Sequence, residues 1–281
     1  KAYVDHFYFG DFHLSDIKFN SFLKGGIVNL KGQVDKAYGG QILMDSLKFS
    51  AVDPAPETLV AVQTKNINVD EAFKHLITGY ENQVQGQLDL LFRGKVPYPQ
   101  GRDWSEKIFA KGNFVVKNGE FKTFKFDALA SDVLAESQGI GTNEASKVIG
   151  RGYMASGKYS MAKNRILLSE VKVYTPDNNQ LDCNGYVDVN LNCNLSGTVY
   201  LAKAPVRKSV IAANRDNKGR FFAPLSIKGN LLSPGVSFAR ETLDQLLSNA
   251  IRYEAHRTQE RSRKALEEQA KKNQQKLDSK T

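Results

Sequence analysis

The sequence predicts a mainly β fold: one large antiparallel sheet, a few short helices and a long helix at the C-terminus. Three observations predict it. Apolar and polar residues alternate with period two over long stretches, as in strands with one face turned from water. Turn-forming residues divide these stretches at short intervals, as in hairpin-connected sheets. After Arg240 the period becomes helical, with Leu243, Leu246, Leu247, Ala250 and Ile251 on one stripe.

Along the chain, Gly39-Gly40 separates strands at 29–36 and 41–50. Val84, Gly86, Leu88, Leu90 and Phe92 alternate with Gln85, Gln87 and Asp89. Asn118-Gly119 lies between two further runs, 112–117 and 120–125, and predicts a two-residue hairpin turn. Ala162-Lys163-Asn164 and Pro176-Asp177-Asn178-Asn179 divide the next three runs. Alternation is unbroken from Val187 to Leu195, where Val187, Val189, Leu191 and Cys193 share one parity. The runs amount to about thirteen strands. Short helices are predicted near 69–77, where early acids precede a Thr78-Gly79 stop, near 103–109, and near 127–135. The expected organisation is a β-rich domain over 1–239, then a helix over 240–281 that is amphipathic first and highly charged later.

A chain of 281 residues, 41% apolar, can bury a core and folds as one large domain or two small ones. No run approaches the ~18 apolar residues that mark a membrane-spanning helix. No basic-then-apolar leader is visible, and the first residue is Lys1. The expectation is a fragment or processed product whose upstream anchor is missing. The net charge of +9 divides between body and tail: residues 252–281 carry nine Lys/Arg and five Asp/Glu. Nothing apolar ties that segment to a core, so it is expected to project, fray or bind something.

Two cysteines, Cys183 and Cys193, are too few for a disulfide scaffold. On a single strand they lie ~33 Å apart. In a hairpin turning at 190–192, Cys193 faces the neighbourhood of Val189 and Cys183 that of Val199. Both are read as buried free thiols. His6, His13, His75 and His256 are scattered, which argues against a structural zinc site. No Ser/His or Cys/His motif or carboxylate pair is recognisable, and Gly139-Ile140-Gly141 lacks the third glycine of a dinucleotide fingerprint. Neither an enzyme nor a cofactor is expected. The charge is spread and no nucleic-acid motif is present, so no nucleic-acid partner is expected.

From about Phe9 to Phe238 the residues resemble a known family. The passages are Gly32 through Ile42 with its Tyr38-Gly39-Gly40, and the strand-to-helix step from Asn66 to Leu76. Then come Val84-Gln85-Gly86-Gln87-Leu88-Asp89-Leu90, Lys111 through Phe121, Gly185-Tyr186-Val187-Asp188-Val189, and the closing run from Pro224 to Pro234. In order and spacing they resemble the C-terminal region of AsmA-like proteins, the bacterial relatives of TamB. No catalytic residue is carried over, because the family pattern is structural.

Thirteen strands at ~4.8 Å make a sheet roughly 60 Å wide. A sheet that wide curls, splits or closes. The alternation leaves two solutions, a closed sandwich or barrel and an open trough. The resemblance implies the trough, and with it phospholipid movement between the inner and outer membranes of a Gram-negative envelope. It further implies a periplasmic location and envelope partner proteins. Candidate lipid-facing residues on the apolar parity are Leu88, Leu90, Phe92, Phe114, Val116, Val187, Val189 and Leu191. The basic tail is a candidate contact for a membrane surface. The alternative is a non-catalytic structural or protein-interaction module for outer-membrane assembly, with a closed core.

Overall fold

A computed structural model describes residues 1–9, 12–53, 57–74, 84–97, 104–121, 153–204, 208–231, 233–238 and 240–278. The strands are β1 (Ala2–Phe9), β2 (Phe12–Lys24), β3 (Ile27–Ala37), β4 (Gly40–Ser50), β5 (Thr58–Asn68), β6 (Val84–Val96) and β7 (Phe109–Phe121). They continue as β8 (Tyr153–Ala162), β9 (Arg165–Tyr174), β10 (Gln180–Asp188), β11 (Asn192–Leu201), β12 (Phe221–Asn230) and β13 (Gly235–Ser237). All thirteen form one antiparallel sheet in strict chain order. The sheet is curved and does not close, which removes the sandwich and barrel solutions.

Beta-bulges accompany the curvature. Every ladder from β3–β4 to β9–β10 contains a register shift. The outer ladders at both ends have none. An extra residue on one strand bends it and increases the local twist, so seven consecutive bulged ladders curl the middle of the sheet. Asn118 is one of these devices. It has φ 51° and lies inside the continuous strand β7, opposite Gly86 at φ 137°. The predicted hairpin at Asn118-Gly119 is therefore corrected: Asn-Gly supplies positive φ to a bulge as readily as to a turn.

The other turns lie where their chemistry placed them. Lys163 and Asn164 both have positive φ, 49° and 60°, which suits a two-residue connection between β8 and β9. The β10–β11 hairpin is centred on Asn190, one residue earlier than expected. Asp188 organises it by accepting hydrogen bonds from the Asn190 and Asn192 backbone N–H groups, both at 2.9 Å. Cys193 consequently opposes Val187 and Cys183 opposes Gly197. The thiols are free and buried, and burial pushes Cys183 up to about 12.

Helix α1 (Val69–Lys74) begins at Asn68, whose side-chain oxygen accepts from the Glu71 N–H at 3.2 Å. The helix expected at 103–109 is reduced to a 3-10 turn, Trp104–Lys107. The one expected near 127–135, and the end of the one near 69–77, lie outside the described residues. Helix α2 (Lys208–Ala213) was not foreseen, because six residues carry too little periodicity to register. Helix α3 (Arg240–Asp278) is continuous over 39 residues, about 58 Å. Its buried stripe is narrower than predicted. Leu246 and Ala250 are buried, whereas Leu247 and Ile251 are exposed.

The closed core belongs to one end of the sheet. Val210 of α2 and Leu246 and Ala250 of α3 pack with Val199, Phe221, Ala223, Leu225 and Ile227 of β11 and β12. Asn214, only 2% exposed, ties the two helices together. Its Nδ2 donates to the Val210 and Leu246 carbonyls at 2.9 and 3.2 Å, and its Oδ1 accepts from Asn249 at 3.0 Å. From residue 251 to 272 every side chain of α3 is exposed, so the charged half projects as expected. Deleting residues 252–281 is expected to leave the thermal midpoint within about 2 °C of the intact chain, since every side chain from 252 to 272 is exposed.

Arg220 and Asp216 form the buried ion pair of this end. Nε and one terminal nitrogen of Arg220 reach the carboxylate at 2.9 and 2.8 Å, and the guanidinium lies 4.9 Å from the Tyr200 ring centre. Burial pushes the Asp216 carboxyl up. The N–H groups of Arg220 and Lys218 and the guanidinium charge outweigh this and hold it below its ordinary value. A depressed carboxyl stabilises the fold above its unfolded pKa of about 3.9 and loses that contribution as pH falls through the folded value. The urea midpoint should therefore fall below about pH 4, and Asp216→Asn should flatten that slope. Arg220→Leu strands the carboxylate and should cost about 3 kcal/mol at pH 7.

Candidate functional site

Directly opposed residues of neighbouring strands share a face, so the register fixes what each face displays. One row crosses the whole sheet. It begins Ala2, Phe19, Gly32, Met44, Val62 and Phe92 on β1 to β6. It continues through Gly112, Tyr159 and Leu168 on β7 to β9, then Gly185, Leu195, Ile227 and Val236 on β10 to β13. The next row of that face reads Val4, Ile17, Val34, Ile42, Thr64, Leu90, Phe114 and Gly157. Neither row contains a charged residue. The intervening row of the opposite face holds Lys18, Gln33, Leu43, Gln63, Leu91, Asn113, Lys158 and Ser169. Strict alternation within strands thus becomes an uncharged lane across them.

The lane changes character along its length. From Phe19 on β2 to Leu168 on β9 its side chains are half-buried. At Leu195 and Ile227 it passes beneath α2 and α3 and becomes fully buried, with Ile227 at 0% exposure. Among the described residues, the α2–α3 pair therefore plugs one end and leaves six to eight strands of apolar surface partly open.

Glycines set the shape of the open part. A Cβ at Gly157 would meet the Phe114 ring at 3.0 Å, and one at Gly112 would meet the Tyr159 ring at 3.0 Å and the Leu91 carbonyl far closer. Each aromatic ring thus lies against a glycine on the neighbouring strand, which lines the lane with ring surface. The Tyr159 hydroxyl donates to the Leu91 carbonyl at 3.0 Å, and burial pushes its pKa up to about 12. This residue is neutral at physiological pH, and its hydroxyl is satisfied by backbone.

Charge is concentrated on the opposite face. Lys18–Asp35 at 2.7 Å, Lys117–Asp89 at 2.6 Å and Lys158–Glu170 at 2.6 Å bridge neighbouring strands there. The Lys18 ammonium holds the Asp35 carboxyl, and the Lys117 ammonium the Asp89 carboxyl, below the usual carboxylate range.

Five of the eight sequence-predicted residues come together. Leu88 opposes Val116, Leu90 opposes Phe114, and Phe92 opposes Gly112. All five are half-buried on the lane's face. The other three do not join them. Val187 is buried in the plugged end. Val189 is 55% exposed and lies in the β10–β11 turn, as does Leu191 at φ 62°. Unbroken parity left a single strand and a hairpin at 190–192 both open, and Asp188 bonds the backbone into the hairpin without interrupting the alternation. Phe19, Met44, Val62, Tyr159 and Leu168 were missed. Their local alternation was visible, but bulges shift parity between strands, and only the register shows that they align.

Compared with known proteins, the chain matches no family model, no curated protein and no solved structure. Among the described residues no helix is long and apolar enough to cross a membrane, and no group of three or more His, Cys, Asp or Glu gathers to hold a metal ion.

Proposed function

We propose that this chain binds phospholipid on the uncharged lane of its sheet and passes it between the inner and outer membranes of a Gram-negative envelope. The observation that supports this is the row from Phe19 to Leu168, uncharged throughout, half-buried, and made of one residue from each strand. A strand of eight residues spans ~26 Å, and one leaflet of hydrocarbon is about half of a ~30 Å core. Acyl chains fit against such a surface while the headgroup stays in water. Burial contributes about 0.8 kcal/mol per CH₂ and is non-directional, so lipid slides without a specific contact to break.

The reading places the chain in the periplasm. It assigns no catalysis and no cofactor. The projecting part of α3 is the candidate membrane contact, at about 1 kcal/mol per basic residue near an anionic surface. Native mass spectrometry of protein purified without detergent is expected to show bound phospholipid. A clean apo mass, with no uptake of labelled phospholipid, overturns the reading. Co-sedimentation with anionic liposomes is expected to drop when residues 252–281 are deleted; unchanged binding removes the tail from the proposal.

A further inference from the structure

Two histidines seven residues apart in the sequence meet across the β1–β2 hairpin. His6 opposes Ser15, and Tyr8 opposes His13. His6 Nδ1 and His13 Nε2 lie 3.3 Å apart, and Ser15 Oγ lies 3.1 Å from each. A tetrahedral ion with imidazole ligands at 2.0–2.1 Å spaces its ligand atoms about 3.3 Å apart. The three donors therefore occupy the corners of one tetrahedral face.

The surroundings favour that use. Tyr8 stacks on His13 with centroids 4.6 Å apart, and the two imidazoles stack at 5.5 Å, which restrains both rings. The other nitrogen of His6, Nε2, faces the Asp5 carboxylate at 3.6 Å. A carboxylate this close complements the Nε2–H that an imidazole keeps when its Nδ1 ligates a metal. Ser15 is buried, while both rings reach solvent and leave an approach for the ion.

We propose that His6, His13 and Ser15 bind a divalent transition-metal ion of the class that favours imidazole, with water completing the coordination. The ion joins the edge strand β1 to β2 through side chains as well as backbone. The site occupies the next rows of the same face, where His6–Ser15 and Tyr8–His13 follow Val4–Ile17, but it takes no residue from the two lane rows and does not depend on the lipid reading. It is an open two-nitrogen site rather than a closed structural zinc centre, in keeping with the absence of a third His, Cys, Asp or Glu among the described residues.

The test is calorimetric titration of the full chain with Zn²⁺, and electron paramagnetic resonance with Cu²⁺. One ion per chain is expected. His6→Asn and His13→Asn should each weaken Zn²⁺ binding by about tenfold or more, and Asp5→Asn by about tenfold. His256→Asn should leave it unchanged. The Cu²⁺ spectrum should show two nitrogen ligands, and one in either histidine variant. Far-UV circular dichroism of the variants checks that the sheet is intact. No binding below millimolar Zn²⁺ overturns the proposal, as does unchanged binding or an unchanged nitrogen count in both histidine variants.

Discussion

Replacing Val62 and Leu90 together with aspartate should strip the protein of most of its bound phospholipid while the sheet stays folded. Leu90 opposes Phe114 and Thr64, and Val62 opposes Phe92 and Met44, so the two carboxylates would stand side by side in adjacent lane rows. An acyl chain crossing them must desolvate a charge, which costs several kcal/mol and exceeds what a few methylenes contribute. Both native side chains are half-buried, so the carboxylates keep access to water, and the loss of stability should stay near 1–2 kcal/mol per site. Leu43 and Leu59 provide the control. Both lie on the opposite face, with 40% and 46% exposure. Leu43→Asp with Leu59→Asp adds the same charge to the same strands, or their neighbours, outside the lane. The readout is phospholipid per mole of protein after detergent-free purification. Equal loss from both pairs would mean that lipid association does not distinguish the faces, and the lane would lose its role.

Phe221→Ala should lower the unfolding free energy by about 3–5 kcal/mol. Phe221 is 1% exposed, opposes Leu201 on β11, and bridges to Arg215 just after α2. It thus joins the sheet to the segment that carries the plug. Removing the ring deletes buried surface and leaves a cavity that two short-range neighbours, a strand and a one-and-a-half-turn helix, have little freedom to fill. The same substitution at Phe19, a half-buried lane residue, should cost much less, because solvent already reaches it. Urea unfolding of the two variants gives the contrast. Similar midpoints would contradict a buried core centred on the β8–β12 end of the sheet with α2 and α3.

The strand count and the single long C-terminal helix were readable because both depend on local period. Residues i and i+2 of a strand share a face whatever the strand pairs with, and Lys163-Asn164 or Pro176 through Asn179 break a run by backbone preference alone. Where two local solutions exist, alternation alone does not choose between them. Asn118-Gly119 supplies positive φ equally to a turn and to a bulge, and the difference is whether residues beyond it pair with β6 and β8. At 187–195 the unbroken alternation left a single strand and a hairpin both open, and the Asp188 carboxylate accepting two backbone N–H groups decides for the hairpin, one residue earlier than the turn residues suggested.

By itself the sequence determined that this protein is a strand-rich chain with one apolar parity, free thiols and a charged, projecting tail. These follow from side-chain type and spacing within one segment. Only the tertiary structure decided that the parities align into one uncharged lane, that seven bulged ladders curl it, and that α2 and α3 cover one end and not the other. It also brought His6 and His13 within 3.3 Å. Those outcomes depend on register between strands, and register is set by every bulge and turn together, so no single stretch of residues encodes it.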